Sequence, residues 1–147
     1  RNTTWTGEAM FENTKITQMK KINAWNHEKL LEVKNDKQVC FDAITTGNFG
    51  GFDVWLEKSI GAKLFLNTNH GELNVNLSEL GVEDVVLDCG GLERKLKVMR
   101  LPETNSCLDL SREVSINLNT SQDNPLWVCV TTEDGFQAWS SPIFIYK

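Results

Sequence analysis

Histidine is almost missing from this sequence: only His27 and His70 occur in 147 residues, each beside an asparagine, Asn26 or Asn69, in loop-like sequence. Most catalytic zinc sites use two or three histidines, and no HExxH or other close histidine pair is present. A metal site built from these residues alone is not expected, and no cofactor is expected either. Close cysteine pairs are lacking too. Of Cys40, Cys89, Cys107 and Cys129, the nearest two stand 18 positions apart (107 − 89), which excludes the spacing of zinc ribbons and thioredoxin-type dithiols. No Gly-x-Ser-x-Gly elbow occurs, and Ser140-Ser141 lies beside Pro142 in a strand-like tail, so serine hydrolysis has no support. Gly47, Gly50 and Gly51 lead into a strand rather than a helix, which makes them turn residues rather than a phosphate cradle.

Long apolar runs are also absent. Nothing approaches the roughly 18 consecutive residues of a membrane helix, so no membrane insertion is expected. The start has neither a basic region nor an apolar signal core. It opens on Arg1 rather than Met, which is the expectation for a fragment or C-terminal domain cut from a larger protein. With 15 basic and 20 acidic side chains the net charge is −5, and no global field attracts phosphate backbones. Nucleic acid is not an expected partner.

The sequence is rich in alternation and in turn residues. Leu73, Val75 and Leu77 alternate with Asn74 and Asn76, and Val114, Ile116 and Leu118 alternate with Ser115 and Asn117. A period of two marks half-buried strands. Strands are predicted near 5–12, 15–22, 29–34, 38–45, 52–58, 63–67, 72–77, 84–88, 92–100, 112–118, 126–132 and 136–146. Turn signals at Gly50-Gly51, 69–71, Gly90-Gly91, 123–125 and Asp134-Gly135 separate them. Between Thr14 and Lys34 a helix competes with a strand, because Ile16, Met19 and Ile22 also share a helical face. Many short strands with only three prolines predict one all-β domain over 1–147, a two-sheet antiparallel β-sandwich of jelly-roll or Ig-like type. A 40% hydrophobic share supplies a core that needs no staple, so the cysteines read as small buried hydrophobes and at most one disulfide is expected.

Acidic residues are scattered, and sequence spacing selects no glycosidase-like pair. Asp123 with Asn124, or Glu133 with Asp134, lacks the EF-hand pattern and reads as solvated turn chemistry. Fourteen asparagines make chance Asn-x-Ser/Thr matches common, as at Asn2, Asn76 and Asn119. The aromatics carry more information. Phe52, Val54 and Leu56 share one strand face, which leaves Trp55 on the other with Asp53 and Glu57. A tryptophan between two carboxylates suits a sugar ring stacked on the indole with its hydroxyls donating to the acids. The alternative is that another loop or domain covers it. Trp127 and Cys129 oppose Leu126, Val128 and Val130, so both faces of that strand are expected to be buried.

Three segments occur in order: TTGNFGGFDVWLE (45–57), DCGGLERKLKVMRLP (88–102) and DNPLWVCVTTEDGFQAWSSPIFI (123–145). Together they resemble the C-terminal region of a bacterial domain-of-unknown-function family whose main body is similar to PHP-type metal-dependent hydrolases. The glycine turn followed by Ala138-Trp139-Ser140-Ser141-Pro142-Ile143 is its most specific part. The resemblance covers residues 43–145. It implies that catalytic metals are held by a preceding body, and none of those ligands maps onto this chain. Cys89, Cys129 and Val130-Thr131 depart from the pattern and leave the subfamily open. The expected role is a non-catalytic accessory β-sandwich that packs on a hydrolase-like domain of the same parent. The second reading is a carbohydrate-binding module with a glycan partner at Trp55, Asp53 and Glu57.

Overall fold

Every regular element in the computed structural model is a β-strand; it describes residues 2–22, 26–47, 49–81, 83–102, 109, 111–132 and 136–146. Cys107 and residues 133–135, where a turn is predicted, lie outside the described residues. The chain divides into two compact units, Arg1–Leu101 and Pro102–Lys147.

The first unit holds β1 (Thr3–Glu12), β2 (Ile16–Lys21), β3 (Leu31–Asn35), β4 (Gln38–Thr45), β5 (Phe52–Leu56), β6 (Lys63–Thr68), β7 (Gly71–Asn76), β8 (Val85–Asp88) and β9 (Lys95–Val98). A five-stranded antiparallel sheet in the order β3-β4-β1-β6-β7 forms its main layer. Strand parity sorts its side chains. Ala9 lies opposite both Val39 and Leu66, Phe11 opposite Leu64, and Leu64 opposite Val75, so one face collects the buried apolar residues. The other face carries Thr4, Thr6, Glu8, Asp42, Asn67 and Asn74, and there Gln38 Nε2 donates to Glu8 Oε2 at 2.8 Å.

Two ribbons complete the unit, β2–β5 and β8–β9, both antiparallel. Ile16, Met19, Phe52, Val54 and Leu56 of the first and Leu96 and Val98 of the second are partly buried against the core. The chain turns from β1 into β2 at Asn13, whose φ of 58° is the left-handed conformation asparagine tolerates better than most residues. Thr14 follows, nearly fully buried, and its hydroxyl donates to Lys58 O at 2.7 Å while accepting from Lys58 N at 3.2 Å. A buried hydroxyl with both roles filled avoids the desolvation penalty and pins the β1–β2 corner to the segment after β5.

The second unit is built on an interrupted hairpin: β10 (Asn124–Leu126) pairs with β13 (Ile143–Ile145), and β11 (Cys129–Thr131) with β12 (Gln137–Trp139). Two residues separate Leu126 from Cys129, whereas three separate Trp139 from Ile143, so the return strand carries a bulge that contains Pro142. Ser140 fills the interruption, since its N–H donates to Val128 O at 2.9 Å and its Oγ accepts from Val128 N at 3.0 Å. Asn124 anchors the base, with Nδ2 donating to Asn119 O and Ile145 O and Oδ1 accepting from Asn119 N.

Between Thr14 and Lys34, where a helix competed with the predicted strands, the strands form, at 16–21 and 31–35. Several other sequence expectations are corrected. The final ribbon strand of the first unit starts at Lys95 rather than Leu92, because Gly90, Leu92 and Glu93 all take positive φ and form the turn. Residues 112–118 alternate as predicted yet form no strand among the described residues, because periodicity reports an apolar face and not a hydrogen-bonded neighbour. Cys40 and Cys89 are half-buried and Cys129 is exposed, and all three are free thiols. Cys40 sits at an even position of β4, on the polar face, which explains why an apolar neighbourhood in sequence did not bury it. Trp127, Val128 and Val130 are exposed, contrary to the expectation of two buried faces.

Candidate functional site

The β2–β5 ribbon presents the residues singled out as a ligand surface. Phe52, Val54 and Leu56 turn toward the core, and Trp55 stands on the outer side, 44% exposed. Its register partner is Gln18, and Asp53 lies opposite Lys20. The register shifts between Ile16 and Gln18, so both Ile16 and Met19 reach inward although they are three residues apart. This bulge leaves Thr17 free to donate its hydroxyl hydrogen to Trp55 O at 3.1 Å. Hydrogen bonds at both ends extend the ribbon, from Ile22 N to Gly51 O and from Glu57 N to Lys15 O.

Glu57 belongs to a different electrostatic neighbourhood from Asp53. Lys15 Nζ lies 3.1 Å from Asp36 Oδ2, and the Lys15 ammonium is held above its ordinary pKa first by that hydrogen bond, next by the Asp36 charge and then by Glu57. The ribbon therefore brings Trp55 and Asp53 onto one face beside Gln18 and Lys20, while Glu57 faces a lysine already shared with Asp36. Such a surface offers an aromatic plane with acceptors and donors of both charges around it, and it contains no group of three or more metal-ligating side chains among the described residues.

The second unit offers a surface of another kind. Among its described residues none is buried. Cys129 lies opposite Trp139 and Val130 opposite Ala138, so each face of the hairpin carries apolar side chains, and Trp127 and Trp139 are 53% and 60% exposed. Leu126 and its register partner Ile143 add to this surface.

One cluster carried no signal in the sequence. His70, in the turn between β6 and β7, sits edge-on against the buried Trp5 with ring centroids 4.7 Å apart. Its Nε2 lies 2.8 Å from Thr4 O, which can only accept, so Nε2 carries the hydrogen and Nδ1 is left as the acceptor for Arg94 Nη1 at 3.4 Å. Asn69 serves as a strand extension: its Oδ1 accepts from Thr6 N and its Nδ2 donates to Thr4 O. His70 and Arg94 are 24 residues apart, and only the β8–β9 turn brings them together. No protein-family model, no curated protein and no solved structure matches this chain.

Proposed function

We propose that the chain is a non-catalytic accessory all-β domain that packs on, or completes, a hydrolase-like partner domain of the same parent protein. The observation that carries this reading is the hairpin of β10–β13. Its strands bear apolar side chains on both faces, and a ribbon of that composition is stable when layers cover it. The exposed apolar side chains on its two faces, Trp127, Val130, Trp139 and Ile143 among them, have the aromatic character of an interface core rather than of a solvated surface. The resemblance to the C-terminal region of PHP-linked proteins supports a metal-dependent hydrolase as the covering body. In the same reading the chain is a two-sheet sandwich of jelly-roll or Ig-like type, with the five-stranded sheet as one layer, supported by the way β2–β5 and β8–β9 lay apolar side chains on the core.

The test is calorimetric titration of the body encoded upstream in the same reading frame with this chain. Saturable one-to-one binding that is lost in the Val130→Ser, Trp139→Ser double variant supports the proposal. A reading frame without a hydrolase-like body, or binding indifferent to both substitutions, refutes it.

A second reading, a carbohydrate-binding module, is favoured by the exposed Trp55 with Asp53 beside it and Gln18 across the ribbon. Glycan-array binding that disappears in Trp55→Ala supports that reading, and binding unchanged by the substitution removes it.

A further inference from the structure

The β6–β7 turn, the β8–β9 turn and the start of β1 enclose an open groove of about 430 Å³. Asn2, Thr3, His70, Leu92 and Arg94 are among its lining residues, and no described lining residue is acidic. In a chain of net charge −5 this is a local reversal. Among the described lining residues Arg94 alone has a fixed charge. Its Nε donates to Gly91 O at 2.9 Å and its Nη1 to His70 Nδ1 at 3.4 Å. Both acceptors are neutral. Lys15 pairs with Asp36 and Lys97 with Asp84, whereas Arg94 has no carboxylate partner among the described residues. Of the five guanidinium N–H groups, three on the Nη edge have no acceptor among the described residues.

The backbone that delivers Arg94 is costly in conformation. Leu92 and Glu93 both adopt the left-handed region, with φ of 70° and 55°, which residues bearing a Cβ disfavour. The turn is nevertheless tied down, by Cys89 N donating to Arg94 O and by Gly90 N donating to Asp88 Oδ1. Unfavourable backbone held in place by its surroundings is a recurring property of binding sites.

We propose that this groove binds a hydroxylated monocarboxylate of the uronic acid class, anchored by the Nη edge of Arg94. A guanidinium edge matches the planar carboxylate with two parallel hydrogen bonds. The one fixed positive charge among the described lining residues balances a monoanion and leaves a sulfate dianion half neutralised. Asn2 and Thr3 add hydrogen-bonding side chains for ligand hydroxyls, and the volume fits a sugar-sized molecule. His70 positions Arg94 through Nδ1 and does not itself contact the carboxylate.

The experiment is an NMR titration of the full 147-residue chain with sodium glucuronate, with glucose and sodium sulfate as separate arms, reading the Arg94 Nε and His70 ring resonances. The proposal expects saturable shifts with glucuronate, weaker binding of sulfate and no shift with glucose. Arg94→Gln lowers glucuronate affinity at least about tenfold, the scale of a charge-assisted hydrogen bond. Asn2→Asp, at an exposed position, places a like charge in the groove and also weakens binding; it serves if Arg94→Gln does not fold. Absent shifts at these nuclei, tighter sulfate binding, or unchanged glucuronate affinity in a folded Arg94→Gln or in Asn2→Asp would each overturn the proposal.

Discussion

Replacing Gly7 by alanine tests the packing of the first unit at its centre. Gly7 lies in the middle strand, opposite Phe41 on one side and Thr68 on the other. A Cβ placed there would stand 2.5 Å from Asn67 O, 2.8 Å from Phe41 Cζ and 3.0 Å from Thr68 Cγ2. The first atom is backbone of a paired strand, so relief requires moving β6. Motion toward the opposite neighbour meets the Phe41 ring, which itself packs on Phe52 with centroids 5.6 Å apart. Overpacking of this kind costs about 1–3 kcal/mol, and a backbone clash belongs at the upper end. The entropic advantage of alanine over glycine in a strand returns about 0.5–1 kcal/mol. The net loss is about 2 kcal/mol, or roughly 8–16 °C in Tm for a unit of this size. Gly50→Ala is the control, since the nearest atom to its added Cβ is Thr45 Cγ2 at 4.0 Å. Thermal denaturation followed by near-ultraviolet circular dichroism reads both. A Gly7→Ala midpoint no lower than that of Gly50→Ala would refute the register and close approach of β1, β4 and β6.

Further outcomes follow from the same geometry. Trp55→Ala lowers stability by about 1–1.5 kcal/mol in urea denaturation, well short of the roughly 3–5 kcal/mol expected for the buried Phe11→Ala; equal losses would place Trp55 in the core. Thiol titration of the denatured chain returns at least three thiols, from Cys40, Cys89 and Cys129, and in the native state Cys129 reacts first because it is exposed. The Lys15–Asp36 pair is on the surface, so Lys15→Met leaves the urea midpoint at neutral pH nearly unchanged. Because the folded pKa of Lys15 is raised, whatever the pair contributes at neutral pH, below the unfolded lysine value, fades as pH rises through the folded one; a contribution that persists after Lys15 has lost its proton would contradict the assignment. Far-ultraviolet circular dichroism shows a sheet-type spectrum, and a helical share above about a third would contradict the all-β assignment.

The strands were legible where one face is apolar and the other polar. Residues 38–45, 52–56 and 63–68 follow the predicted alternation, and the same parity placed Trp55 outside and Phe52, Val54 and Leu56 inside. Partners were not legible. Nothing local in 16–21 announces that it crosses to 52–56, because pairing over that separation depends on the Thr14 corner and on the apolar face of the sheet. The Arg94–His70 contact was hidden for a related reason. It depends on left-handed backbone at Leu92 and Glu93, residue types that do not advertise it. In the second unit, composition was read as burial. The side chains of Trp127 and Val130 are instead exposed in this chain, and that difference is what the docking proposal explains.

Oxidative footprinting of tryptophan, with the 147-residue chain compared against the full translation product of its reading frame, tests the accessory role most directly. Trp127 and Trp139 are expected to be oxidised rapidly in the chain alone and protected in the full product, with Trp5 protected in both. Equal oxidation of Trp127 and Trp139 in the two samples would contradict that role.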